Sequence, residues 1–97
     1  MAAVGDIYED FQSVANNDYL DTAPGVGEEA SIHNIYWGGA VTIEKYDGAN
    51  SIIFRTEAAA GGLAYYAFFV TETRRIRIKN TSGGPIYIAY DGIYTRV

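Results

Sequence analysis

No cysteine occurs in the 97 residues, which excludes a disulfide framework, a zinc–thiolate site and a cysteine nucleophile. Histidine is nearly absent as well. His33 stands alone, so a histidine-based metal set has no second imidazole and a Ser-His pair has no serine elbow, because Gly-x-Ser-x-Gly does not occur. No eighteen apolar residues run together, so no helix long enough to span a bilayer is encoded. The longest apolar stretch, "GGLAYYAFFV" at 61–70, suits a buried strand instead. The opening "MAAVGDIYEDF" lacks a basic n-region and an apolar h-region, so production in the cytoplasm without a secretory signal is expected.

Positive charge is missing from one half. Residues 1–44 carry eight acids and no lysine or arginine, whereas residues 45–97 carry seven bases and four acids, for a net charge of −5. An acidic chain repels nucleic acid at long range, which argues against a nucleic-acid partner. The split suits an acidic surface of one copy meeting a basic surface of another.

The chemistry that remains is sparse. Glu9/Asp10 and Glu28/Glu29 are adjacent carboxylates, but neighbours on a strand point to opposite faces. "GVGEEAS" lacks the lysine and the strand–loop–helix setting of a phosphate-binding loop. Asp47 and Asn50, with Asp18 and Asp21 elsewhere, fall short of the six to eight oxygens that calcium takes. The expectation is a non-enzymatic protein with no catalytic residue, no cofactor and no metal site.

What is abundant is the material of strands and turns. Asn16-Asn17, "APGVG", Gly38-Gly39, Asp47-Gly48, Gly61-Gly62, "SGGP" and Asp91-Gly92 separate short segments rich in β-branched and aromatic residues. Several alternate with period two: Ile76 and Ile78 against Arg75, Arg77 and Lys79; Val41 and Ile43 against Thr42 and Glu44. Strands are predicted at 7–14, 19–22, 30–37, 40–46, 51–57, 63–72, 74–80, 85–90 and 93–96. Such spacing predicts an all-β fold: a single antiparallel β-sandwich, jelly-roll-like, of about eight strands. It forms one domain over 1–97, with residues 1–6 as an extended arm.

Three surfaces are candidates for function. The segment "LAYYAFFV" is apolar on both faces, so Leu63, Tyr65, Tyr66, Phe68, Phe69 and Val70 are expected to meet a neighbouring subunit. Arg74, Arg75, Arg77 and Lys79 form the densest basic patch, read as a solvated strand face or as a docking surface for an acidic partner. Trp37, Tyr46, Tyr90 and Tyr94 lie near predicted turns and would line the site if the chain were a carbohydrate-binding module. The tripeptide Tyr-Asp-Gly occurs twice, at 46–48 and 90–92, and is read as two hairpin turns.

The stretches "FQSVANNDYLDTAPGVGEEASIHNIYWGG" and "RIRIKNTSGGPIYIAYDG" resemble small β-sandwich accessory proteins of tailed-phage virions, of the capsid-decoration or head-fibre type. The resemblance lies in loops, glycine turns and strand texture. It implies a virion structural protein that assembles as a homo-oligomer, a trimer being favoured, against other virion proteins such as the major capsid protein. It implies no catalytic residues; the acidic charge and the lack of a long apolar run are what set aside nucleic acid and a membrane as partners.

Overall fold

A computed structural model describes residues 2–97. Nine strands run in chain order: β1 (Ile7–Val14), β2 (Tyr19–Asp21), β3 (Glu29–Trp37), β4 (Val41–Tyr46), β5 (Ser51–Glu57), β6 (Gly61–Leu63), β7 (Phe68–Thr71), β8 (Arg75–Asn80) and β9 (Ile86–Arg96). One sheet has the order β1-β9-β3, with β6 and β7 both on the far edge of β3; the other has the order β2-β8-β4-β5. All pairings are antiparallel.

The pairs are nested: β1 with β9, β2 with β8, β3 with β6 and β7, and β4 with β5. The chain is thus one long hairpin whose tip is the β4–β5 turn, wrapped so that successive pairs enter alternate sheets. That wrapping is a jelly roll. It buries one face of each sheet against the other. Ile32, Ile35, Trp37, Ile88 and Val70 from the first sheet meet Leu20, Val41, Ile43, Ile76 and Ile78 from the second.

The innermost turn forms as its sequence dictates. Gly48 takes a φ of +98°, and the Asp47 carboxylate accepts the backbone N–H groups of Ala49 (2.9 Å) and Asn50 (2.6 Å). These bonds hold the Asp47 carboxyl below the usual carboxylate range. The second Tyr-Asp-Gly does not form the expected hairpin. Asp91-Gly92 lies inside β9, which runs unbroken to Arg96, so the strands expected at 85–90 and 93–96 are one. The reason is a bulge in the partner. Ile32 pairs with Gly92 and Asn34 with Asp91, leaving His33 as the extra residue. A β-carbon on Gly92 would lie 1.8 Å from the Ser31 carbonyl oxygen, so the glycine serves close approach of two strands rather than a turn. The bulge also flips the facing of β3: Ala30 and Ile32 point inward before it, Ile35 and Trp37 after it.

Two further expectations change. Residues 3–6 form a turn, not an extended arm: Asp6 donates its N–H to Ala3, and Gly5 donates to Tyr94. The strand expected over 63–72 is broken into β6 and β7, because residues 64–67 leave β3 and return to it four residues later. Tyr65, at the crest, has φ of +64° and is 98% exposed. Its N–H is held by the Asn34 side chain at 3.2 Å, and the Tyr66 N–H by the His33 carbonyl at 3.1 Å. The bulge in β3 and the detour beside it therefore share hydrogen bonds.

Candidate functional site

The expected subunit-facing residues divide. Leu63 and Val70 are buried in the core, which corrects their assignment to an outer interface, because β6 and β7 turn those side chains toward the second sheet. Tyr65, Tyr66 and Phe69 are exposed, and Phe68 is half-buried. Phe68 stacks on Tyr66 (5.5 Å between centroids) and meets Phe54 of β5 (5.6 Å), closing the open side of the sandwich.

That side carries a patch the sequence reading did not assign. β5 is an edge strand, and Ile52, Ile53 and Phe54 are 71%, 56% and 43% exposed. A bulge explains how one run exposes all three: Glu44 pairs with Ile53 and Ile43 with Arg55, so Phe54 is extra and swings across the gap. Ile52, Phe54, Phe68 and Phe69 line an apolar cleft of about 420 Å³ with Lys45 at its rim. The signal was the uninterrupted "SIIF", in a strand whose edge position is not written in its own residues.

The basic row lies on one face of β8, as its alternation requires, but it is not free. Arg77 pairs with Glu44 at 2.9 Å, and its guanidinium lies 3.6 Å from the Tyr46 ring centroid and 4.1 Å from that of Tyr19. Burial disfavours the Arg77 charge, and the hydrogen-bonded Glu44 carboxylate overcomes it, so the pKa is raised overall. Arg75 pairs with Asp21 at 3.1 Å and lies over Tyr46, while Lys79 lies 5.8 Å from the Tyr19 ring. The expected docking patch is therefore largely satisfied from within. Arg74, in the turn before β8, is the exposed exception.

The four aromatics of the carbohydrate reading do not converge on a surface. Trp37 is 4% exposed and donates its indole N–H to Ala59, and Tyr90 is equally buried. Burial, then the nearby Tyr8, pushes the Tyr90 phenol far above its usual value. Tyr46 lies under Arg77, and Tyr94 packs edge-on against Tyr8 at 4.9 Å. The burial of Trp37 and Tyr90 follows from inward alternation along β3 and β9, which overrides proximity to a turn.

A second unassigned feature lies on the outer face of the first sheet. Register places Glu9, Asp91 and Asn34 in one row across β1, β9 and β3, and Phe11, Ala89 and Tyr36 in the next. Asp91 accepts a hydrogen bond from the Asn34 amide. Ala89 is the low point between two larger rings, and the result is a cleft of about 540 Å³ with aromatic walls and carboxylates beside them. Loss of solvent and the adjacent Asp91 carboxylate raise the Tyr36 pKa. Nothing local in the sequence signals this cleft, because its parts come from three strands paired across some eighty residues.

Among the described residues, no group of three or more His, Asp or Glu side chains is placed to hold a metal ion. The Asp47 and Asp21 oxygens weighed for calcium are engaged in their own turns and with Arg75. No protein family and no curated protein matches the chain.

Proposed function

We propose that the chain is a non-enzymatic virion structural protein, a jelly-roll accessory or decoration protein that assembles as a homo-oligomer on a phage particle, with the major capsid protein as its substratum. One observation carries the assembly part of the reading: the exposed apolar edge formed by Ile52, Ile53 and Phe54 of β5 with Phe69 of β7. An uncovered edge strand offers unpaired N–H and C=O groups beside apolar side chains, and soluble proteins protect such edges with lysine, proline, bulges or a partner. Here the outermost strand has no lysine or proline between Ser51 and Glu57; its bulge at Phe54 and the charged Arg55 and Glu57 guard only its second half, and Ile52 and Ile53 stay uncovered. Covering it with another subunit removes the liability.

The particle assignment rests on the resemblance in strand and loop texture and on the jelly-roll wrapping, an architecture recurrent in capsid proteins. Assembly is tested by light scattering on a sizing column across a concentration series. Oligomers are expected, and a monomer up to millimolar concentration refutes the reading of the β5–β7 edge. The location is tested by imaging the assembled particle, where density matching the 37 × 26 × 21 Å envelope is expected on the outer surface.

A further inference from the structure

We propose that the acidic, aromatic cleft on the outer face of the β1–β9–β3 sheet receives the Arg74-bearing edge of a second copy, so that subunits join head to tail. This rests on the self-assembly proposed above and specifies which two surfaces meet.

The cleft has the composition of a cation receptor without a cation. Phe11 and Tyr36 flank the Ala89 methyl, Glu9 and Asp91 lie one row away, and no lysine or arginine lines it. The opposite face of the molecule shows what this chain does with the same parts. There, Tyr19 and Tyr46 sandwich the Arg77 guanidinium at 4.1 and 3.6 Å while Glu44 accepts its hydrogen bond at 2.9 Å. Aromatic faces attract cations, and a neighbouring carboxylate adds a charge-assisted hydrogen bond. On the first sheet the central strand has Ala89 in place of an arginine, so the cation must come from elsewhere.

The chain supplies candidates. Arg55, Arg75, Arg77 and Arg96 are ion-paired, and Lys79 lies near Tyr19. Among the described residues, Arg74 and Lys45 are the bases with neither an ion pair nor a ring partner. Both line the groove beside Ile52, adjoining the apolar β5–β7 edge; Asp47 lines it too, but its carboxylate is already bonded to the backbone N–H groups of its own turn. One surface is thus apolar with two cations against one carboxylate, the other aromatic and acidic with no cation, and they match in net charge and in apolar content.

The two surfaces cannot meet within one copy. The cleft lies on the outside of one sheet, around β1 and β9, whereas the basic edge lies at the far side of the sandwich, where β5 faces β7. A contact between two different patches is heterologous, and repetition closes it into a ring or extends it into a filament. Charge of the receiving cleft comes from Glu9 and Asp91, and charge of the entering edge from Arg74 and Lys45, so the separation of the two patches becomes a polarity of assembly.

Charge reversal in the full chain tests this. Glu9→Lys and Arg74→Glu are suitable, since neither side chain has a hydrogen-bond partner or ion pair within the chain among the described residues. Circular dichroism verifies that each variant is folded, and sedimentation measures self-association. Each variant alone should self-associate at least about tenfold more weakly, as expected when one partly exposed ion pair becomes a repulsion. An equimolar mixture should recover association, because the glutamate edge of one variant fits the lysine cleft of the other. If Glu9→Lys assembles like the unaltered chain, or the mixture stays dissociated, the pairing is wrong while self-assembly stands. If the unaltered chain is monomeric throughout, self-assembly itself is refuted, and the pairing with it.

Discussion

Gly92→Ala is the sharpest test of how this sheet is put together. Gly92 lies in β9, the central strand of its sheet, with Tyr8 of β1 opposite on one side and Ile32 of β3 on the other. The added methyl would lie 1.8 Å from the Ser31 carbonyl oxygen, 2.8 Å from its carbon and 2.9 Å from the Ile32 Cα. These are backbone atoms, so no side-chain rotation relieves the clash. A carbon and an oxygen need roughly 3.2 Å, so β3 and β9 must separate by about 1.4 Å at the bulge. At least two ladder hydrogen bonds are lost or stretched, at about 1 kcal/mol each. Movement of the fully buried Ala30 and Ile32 adds a packing loss of about 1–3 kcal/mol. The sum of about 3–5 kcal/mol is a large share of the about 5–15 kcal/mol that stabilises a typical domain. A midpoint drop of about 12 °C or more is expected, at about 4–8 °C per kcal/mol for a domain of this size. Urea unfolding followed by the fluorescence of the single, buried Trp37 gives the free energy directly. Gly84→Ala is the control, because a methyl there meets nothing within 4 Å, and it should change stability by less than about 0.5 kcal/mol. A loss below about 1 kcal/mol for Gly92→Ala refutes the close-approach argument.

Other perturbations probe separate parts of the molecule. Arg77→Leu leaves Glu44, whose side chain is 4% exposed, without its partner, and should cost about 3 kcal/mol in urea unfolding. Adding Glu44→Leu to it should recover much of that loss if the uncompensated charge is the cause. Tyr65→Gly removes the strain of a φ of +64° from a fully exposed residue and should raise stability by about 0.5–1 kcal/mol by thermal unfolding. A decrease would mean that the Tyr65 ring makes contacts that stabilise the monomer. Tyr90 has its phenol pKa raised on folding, so the neutral form is favoured in the folded state and its contribution is complete below the unfolded value near 10. Stability should fall as pH rises beyond that point, with tyrosinate absorbance growing as the fold is lost, and Tyr90→Phe should flatten the alkaline slope.

How much was legible in the sequence depends on the range of the cause. The all-β class, and strands such as 51–57 and 75–80, follow from alternation and turn residues that act within a few positions. The Asp47-Gly48 turn is likewise local, since its hydrogen bonds close over four residues. The identical tripeptide at 90–92 failed as a turn because its glycine answers to Ser31, sixty-one positions away, and no local pattern records that approach. The same limit applies to the surfaces. The sequence identified Arg75, Arg77 and Lys79 as one basic face but could not say that Asp21, Glu44 and two tyrosine rings would occupy it.

Composition and period therefore decide that this chain makes strands, which residues alternate, and which catalytic groups it lacks. The tertiary structure alone decides which strand lies at an edge, and so that Ile52, Ile53 and Phe54 meet solvent while Leu63 and Val70 do not. It also decides that Glu9, Phe11, Tyr36 and Asp91 share one cleft, because antiparallel nesting brings the first strand against the last. Alternation is a property of neighbours in the chain, whereas exposure and convergence are properties of neighbours in space.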